Sequence, residues 1–167
     1  TQVAQGLSTD QMVALTTDQA AAFKTSQIAV LTSEQLLAME TADLAALKAV
    51  QLVALTTTQI ASGLSTDQLA ALTTSQVALG FSTAQIAALT PNNIGALQTE
   101  VVAALGSAQV VALTTTQLNS GLSTEQLVAL TTAQIEVLST RQISQGLTTD
   151  HVVALSTEQA ASLRTQQ

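Results

Sequence analysis

The stretch Leu64-Ser65-Thr66-Asp67-Gln68-Leu69-Ala70-Ala71, followed at once by Leu72-Thr73-Thr74-Ser75-Gln76-Val77-Ala78, decides the reading of this chain. One short phrase is said twice. Ser65 is a good helix N-cap, since its hydroxyl can accept from a free N–H of the first turn. Gln68, three residues on, can reach back to the N–H of Ser65 and complete a capping box. Leu64 before the cap and Leu69 at the fourth helical position are the two halves of a hydrophobic staple. Asp67 lies in the first turn, at the positive end of the helix dipole. Ala70 and Ala71 extend a helix at little entropic cost. Each octad therefore predicts one short, capped helix.

The register holds along all 167 residues. The Gln position recurs at 2, 11, 19, 27, 35, 43, 51, 59, 68, 76, 85, 93, 101, 109, 117, 126, 134, 142, 151, 159 and 167. It is Gln at 17 of these 21 places, the exceptions being Asp43, Asn93, Val101 and His151. Fifteen of the twenty steps are eight residues and five are nine. Glycine marks the longer steps, at Gly6, Gly63, Gly121 and Gly146 and, with Phe81, at Gly80. Glycine just past a short helix predicts a left-handed C-cap. Two independent features agree with the phase. Eight of the eleven acids (Asp10, Asp18, Glu34, Asp67, Glu100, Glu125, Asp150 and Glu158) immediately precede the Gln position. The only proline, Pro91, falls at the first helical residue, where a missing N–H costs nothing.

Two rival folds fail on pattern. In one continuous helix, apolar residues four apart would drift by about 40° per step, so the stripe would wind around the rod. Repeated caps and glycines also interrupt it. A β-solenoid suits Thr, Val and Ile, but the octad does not alternate with period two, and Ala, Gln and Leu favour helix.

An isolated helix of six or seven residues is unstable in water, because nucleation is costly. Each octad must bury a face against its neighbours, which is the logic of a solenoid. The expected fold is all-α: a narrow superhelix of about twenty capped mini-helices, one per 8–9-residue repeat. The staple Leu and the Leu, Ile or Val five residues on should point inward. The spacing of the nine-residue steps leaves two and three helices per coil both open. The chain reads as one continuous array, residues 1–167. Thr56–Gln68 returns 58 residues later as Thr114–Gln126, so runs 1–57, 58–115 and 116–167 are candidate higher-order units or recent duplications. Both ends fall in mid-repeat, as expected of a piece of something longer.

Composition narrows function. Thr (27) and Gln (21) dominate, with two Phe and no Tyr, Trp or Cys. Charged residues make up 9%, against roughly 25% in a typical domain. The net charge of −7 with four basic residues disfavours nucleic acid and anionic membranes, which basic residues attract. No apolar run approaches the roughly 18 residues of a membrane helix. Catalysis needs convergent groups, and one His without Cys does not supply them. His151 takes a capping-box position, where an imidazole can replace Gln. The acids recur along a surface instead of clustering as metal cages do. Catalytic, cofactor-binding, metal-ligating and small-molecule substrate sites are all expected to be absent. Lys24, Lys48 and Arg164 stand at capping positions and Arg141 in a first turn, where they could pair with acids of an adjoining coil.

Leu89-Thr90-Pro91-Asn92-Asn93-Ile94 locally resembles the opening of TAL-effector DNA-binding repeats, but that family has a far longer repeat and a basic DNA face. A broader resemblance covers essentially the whole chain. Leu72-Thr73-Thr74-Ser75-Gln76-Val77 and Leu130-Thr131-Thr132-Ala133-Gln134-Ile135 are similar to the L-T/S-T-x-Q-I-x-A tracts of very large, adhesin-like bacterial surface and secreted proteins. That resemblance implies an extracellular or cell-surface structural role and no enzyme activity. The expected function is a stalk, spacer or filament subunit, with end-to-end self-association or further repeats as partners. The alternative is a ligand-binding face, ice included, built from Thr pairs such as Thr16-Thr17, Thr73-Thr74 and Thr131-Thr132.

Overall fold

The computed structural model describes residues 6–163. Gln2 and Gln167 of the register, and the cation Arg164, lie outside the described residues. Among the described residues there are nineteen helices of four to seven residues and no strands. Contacts sort them into three columns, because every helix packs on the helix three before it. The first column is α1 (Thr9–Val13), α4 (Ser33–Ala38), α7 (Thr57–Ser62), α10 (Thr83–Ala88), α13 (Ser107–Ala112), α16 (Thr132–Glu136) and α19 (Thr157–Ser162). The second is α2 (Thr17–Ala21), α5 (Thr41–Ala45), α8 (Thr66–Ala70), α11 (Pro91–Gly95), α14 (Thr115–Ser120) and α17 (Gln142–Gly146), the last wound as a π-helix. The third is α3 (Thr25–Ile28), α6 (Ala49–Leu52), α9 (Thr74–Gly80), α12 (Thr99–Ala103), α15 (Thr124–Val128) and α18 (Thr149–Ala154). Three helices thus complete one coil of a narrow solenoid.

The caps form as the octad dictates. Ser65 Oγ accepts from the N–H of Gln68 at 3.2 Å, and Gln68 Oε1 accepts from the N–H of Ser65 at 2.9 Å. The same reciprocal pair recurs from Ser8–Gln11 to Ser156–Gln159. Pro91 opens α11. Two apolar residues per repeat build the core. The residue after the Gln position is fully buried in every repeat from Met12 to Ile135, and the residue before each N-cap is nearly so from Leu31 to Leu147. These two sets form one continuous hydrophobic cluster along the solenoid.

The glycines correct the expectation of left-handed caps. No described residue has a positive φ; Gly63 sits at φ −106° and Gly121 at φ −105°. Their role is close approach. Gly63, Gly80, Gly121 and Gly146, the extra residues of their repeats, are pressed onto the coil beneath. A Cβ at Gly80 would lie 3.0 Å from Cα of Ala49, and one at Gly121 would lie 2.9 Å from the carbonyl oxygen of Pro91. These extra residues lie just after α7 and α14 and at the ends of α9 and α17, so they occur in all three columns. The repeated phrases around Gly63 and Gly121 lie in different columns, because seven octads are not a whole number of three-helix coils.

Candidate functional site: a glutamine ladder between coils

Short helices carry a specific liability. The last carbonyls of each helix have no partner within it, and here the chain turns at once into the next cap. The glutamines meet that need. While Oε1 of each Gln holds its own N-cap, Nε2 donates to carbonyls of the coil beneath. One acceptor is the residue just before the N-cap three helices back; the other, where present, is at the end of the helix four back. Gln117 on α14 donates to Leu89 at 2.7 Å and Ile86 at 2.8 Å. Gln68 on α8 donates to Met39 and Leu36, both at 2.8 Å. Gln134 on α16 donates to Leu105 and Ala103. Gln35, Gln51, Gln59, Gln76, Gln85, Gln109, Gln126, Gln142 and Gln159 do likewise, always 28 to 33 residues back. Each of these side chains is buried. One amide therefore closes a cap and pins two coils together.

The four departures from Gln are informative. His151 keeps both functions: Nδ1 accepts from the N–H of Thr148 at 3.2 Å, and Nε2 donates to the Leu122 carbonyl at 3.1 Å. Because the backbone N–H can only donate, the ring is the Nε2–H tautomer. Its capping-box position is as the sequence indicates, and it is fully employed structurally. Asn93 is shorter, and its Nδ2 reaches Leu64 only at 3.4 Å. Val101 has no polar group; the amide of Gln98, at the N-cap of the same helix, donates instead to Ala70 at 2.9 Å. Asp43 is 2% exposed and its Oδ2 has no hydrogen-bond partner. Burial, and then the Glu40 carboxylate, push its carboxyl above the ordinary aspartate value.

The remaining polar groups decorate the surface. The carboxylates of Glu125 and Glu158 are held below their ordinary value by their own backbone N–H groups, and then by the flanking hydroxyls of Ser123 and Thr124 or Ser156 and Thr157. These are the first-turn acids acting at helix N-termini. In the pairs Thr16-Thr17, Thr73-Thr74 and Thr131-Thr132, the first hydroxyl accepts from the backbone N–H of the Gln three residues on, leaving one per pair free of that duty. Lys24 and Lys48 contribute only backbone to their caps, through Gln27 and Gln51. Arg141 Nε donates to Gln145 at 3.1 Å.

The surface hollows include one of about 460 Å³ and one of about 280 Å³. The larger is lined by Met39, Glu40, Thr41, Ser65 and Asp67 among others. Among the described residues no three His, Cys, Asp or Glu side chains converge to hold a metal. No described helix is long and apolar enough to cross a membrane. The repeated, buried interface between coils is thus the feature this fold builds most consistently.

No curated protein and no solved structure matches the chain. Residues 36–74 and 120–145 match the ALTTAQ repeat family, and a tandem-repeat tract runs through both stretches.

Proposed function

We propose that this chain is a structural rod, serving as a stalk, spacer or filament subunit of a bacterial extracellular or cell-surface assembly. One observation carries the reading: the same kind of coil-to-coil interface recurs along the chain, with four variants of its donor residue. From the α7–α9 coil, Gln59, Gln68 and Gln76 all donate to carbonyls of the coil beneath, and one core runs through both. Such an interface has no intrinsic end, and a contact that repeats without closing yields linear growth. The first described coil carries the same machinery. Gln11, Gln19 and Gln27 hold their caps through Oε1, and their amide nitrogens stand where the other glutamines donate downward. A further coil, from the same chain or a second copy, fits there.

Negative-stain electron microscopy of the purified chain at high concentration tests this. Uniform fibres one solenoid wide identify a filament subunit, and discrete short rods identify a spacer. Compact particles without an elongated axis would refute the structural reading. Sedimentation velocity over the same concentrations separates fibre growth from non-specific clustering, because end-to-end addition raises length at constant width.

A further inference from the structure

At the Gln position of α5 stands an acid. From Gln35 to Gln159, every glutamine in this position donates to the carbonyl just before the N-cap three helices back, and for α5 that carbonyl belongs to Leu15. No donor reaches Leu15 among the described hydrogen bonds. An acceptor without a donor therefore lies at the register position of a buried carboxyl oxygen without a partner, Asp43 Oδ2. An ionised carboxylate only accepts, so it cannot complete this joint; a neutral carboxylic acid can, because its O–H donates. A charge here would also be buried without compensation.

We infer that Asp43 is a buried, neutral carboxylic acid that donates to the coil beneath, making the boundary between the α1–α3 and α4–α6 coils a joint whose strength falls as pH rises. The surroundings favour the neutral form. Glu40, at the N-cap of the same helix, adds negative charge. The helices packed on α5 or preceding it bring Asp18 on α2, Asp67 on α8 and Glu34 on α4, all acidic and exposed. The cations Lys24 before α3 and Lys48 before α6 are exposed and enter their caps through the backbone. Burial and Glu40 raise the carboxyl above its ordinary value of 3.8. The folded chain therefore keeps a proton that the unfolded chain releases. The joint is at full strength below 3.8 and weakens as pH climbs through the folded value.

Hydrogen exchange over residues 8–47, compared between the native chain and Asp43→Gln from pH 4 to pH 8, tests the joint. Glutamine restores a donor that does not titrate. The expected protection of Asp43→Gln over the native chain grows by about tenfold across that range, the worth of one net hydrogen bond. A ratio constant with pH would overturn the inference. Carboxyl carbon NMR of the native chain is the second measurement. An Asp43 resonance that titrates at or below the ordinary value would overturn it even if the variant misfolds.

Discussion

Replacing Gln117 by methionine isolates the ladder, because methionine matches glutamine in length and lacks its polar atoms. Gln117 is 1% exposed. Three bonds vanish: the N–H of Thr114 to Oε1 at 2.7 Å, and Nε2 to Ile86 and to Leu89. The Ile86 carbonyl retains the N–H of Leu89 at 3.3 Å. The carbonyl of Leu89 and the N–H of Thr114 lose their only described partners. A buried orphan costs about 1–3 kcal/mol and a lost, water-replaceable bond about 1 kcal/mol. The expected loss is therefore about 2–4 kcal/mol, against a typical total of 5–15 kcal/mol. The matched control is Gln11→Met, where the side chain is exposed and only the cap bond from Ser8 is lost; about 1 kcal/mol or less is expected. Urea unfolding followed by far-UV circular dichroism reads both. In a solenoid, energy resides in nearest-neighbour interfaces, so Gln117→Met should also broaden the transition by uncoupling coils on either side of α14. If Gln117→Met costs no more than Gln11→Met, the inter-coil bonds carry no stability and the reasoning fails.

Three further outcomes can be checked with the same assay, and a fourth by thermal unfolding. Gly121→Ala should destabilise by about 1–3 kcal/mol, since its Cβ meets backbone atoms of Gln117 and Pro91 that cannot rotate aside. By contrast, Gly106→Ser should stabilise by about 0.5–1 kcal/mol, because Gly106 has room, an extended N-cap backbone and no hydroxyl to offer. Val101→Gln should gain up to about 1 kcal/mol by giving the Leu72 carbonyl a donor. Glu125→Gln should lower the melting temperature slightly at pH 7, and the difference should shrink as pH falls below 4.5. Its carboxyl lies below the ordinary 4.5, so its stabilisation exists above that value and disappears as pH falls.

Much of this fold is written locally. Ser65, Gln68, Leu64 and Leu69 specify a helix start within six residues, and every part of that reading depends on contacts a few positions apart. The number of helices per coil is different in kind. It depends on how sharply each Leu-Thr junction turns the chain, and no residue at the junction encodes that angle by itself. The nine-residue repeats offered a possible marker, yet they fall in all three columns and mark none. The glycines misled for a related reason. Gly121 has an ordinary negative φ, and part of what excludes a side chain there is the backbone of Pro91, about thirty residues away, beside the Gln117 carbonyl of its own helix.

The ladder, in contrast, left a trace that capping alone does not explain. Glutamate serves as well as glutamine at the third residue of a capping box, and acids abound one position earlier, from Asp10 to Glu158. Yet none of the 21 Gln positions carries Glu. A site that only had to accept from the cap N–H would have tolerated it. What glutamate lacks is a donor, and the carbonyls of the coil beneath require one. His151 and Asn93 conform, since each combines an acceptor with a donor. Val101 abandons both functions, and Gln98 supplies the donor from three residues away. Asp43 is the acid that breaks the rule, and it conforms once protonated. The preference for Gln over Glu thus reports a requirement imposed about thirty residues away in the chain, and its strictness measures how fully the rod depends on those bonds.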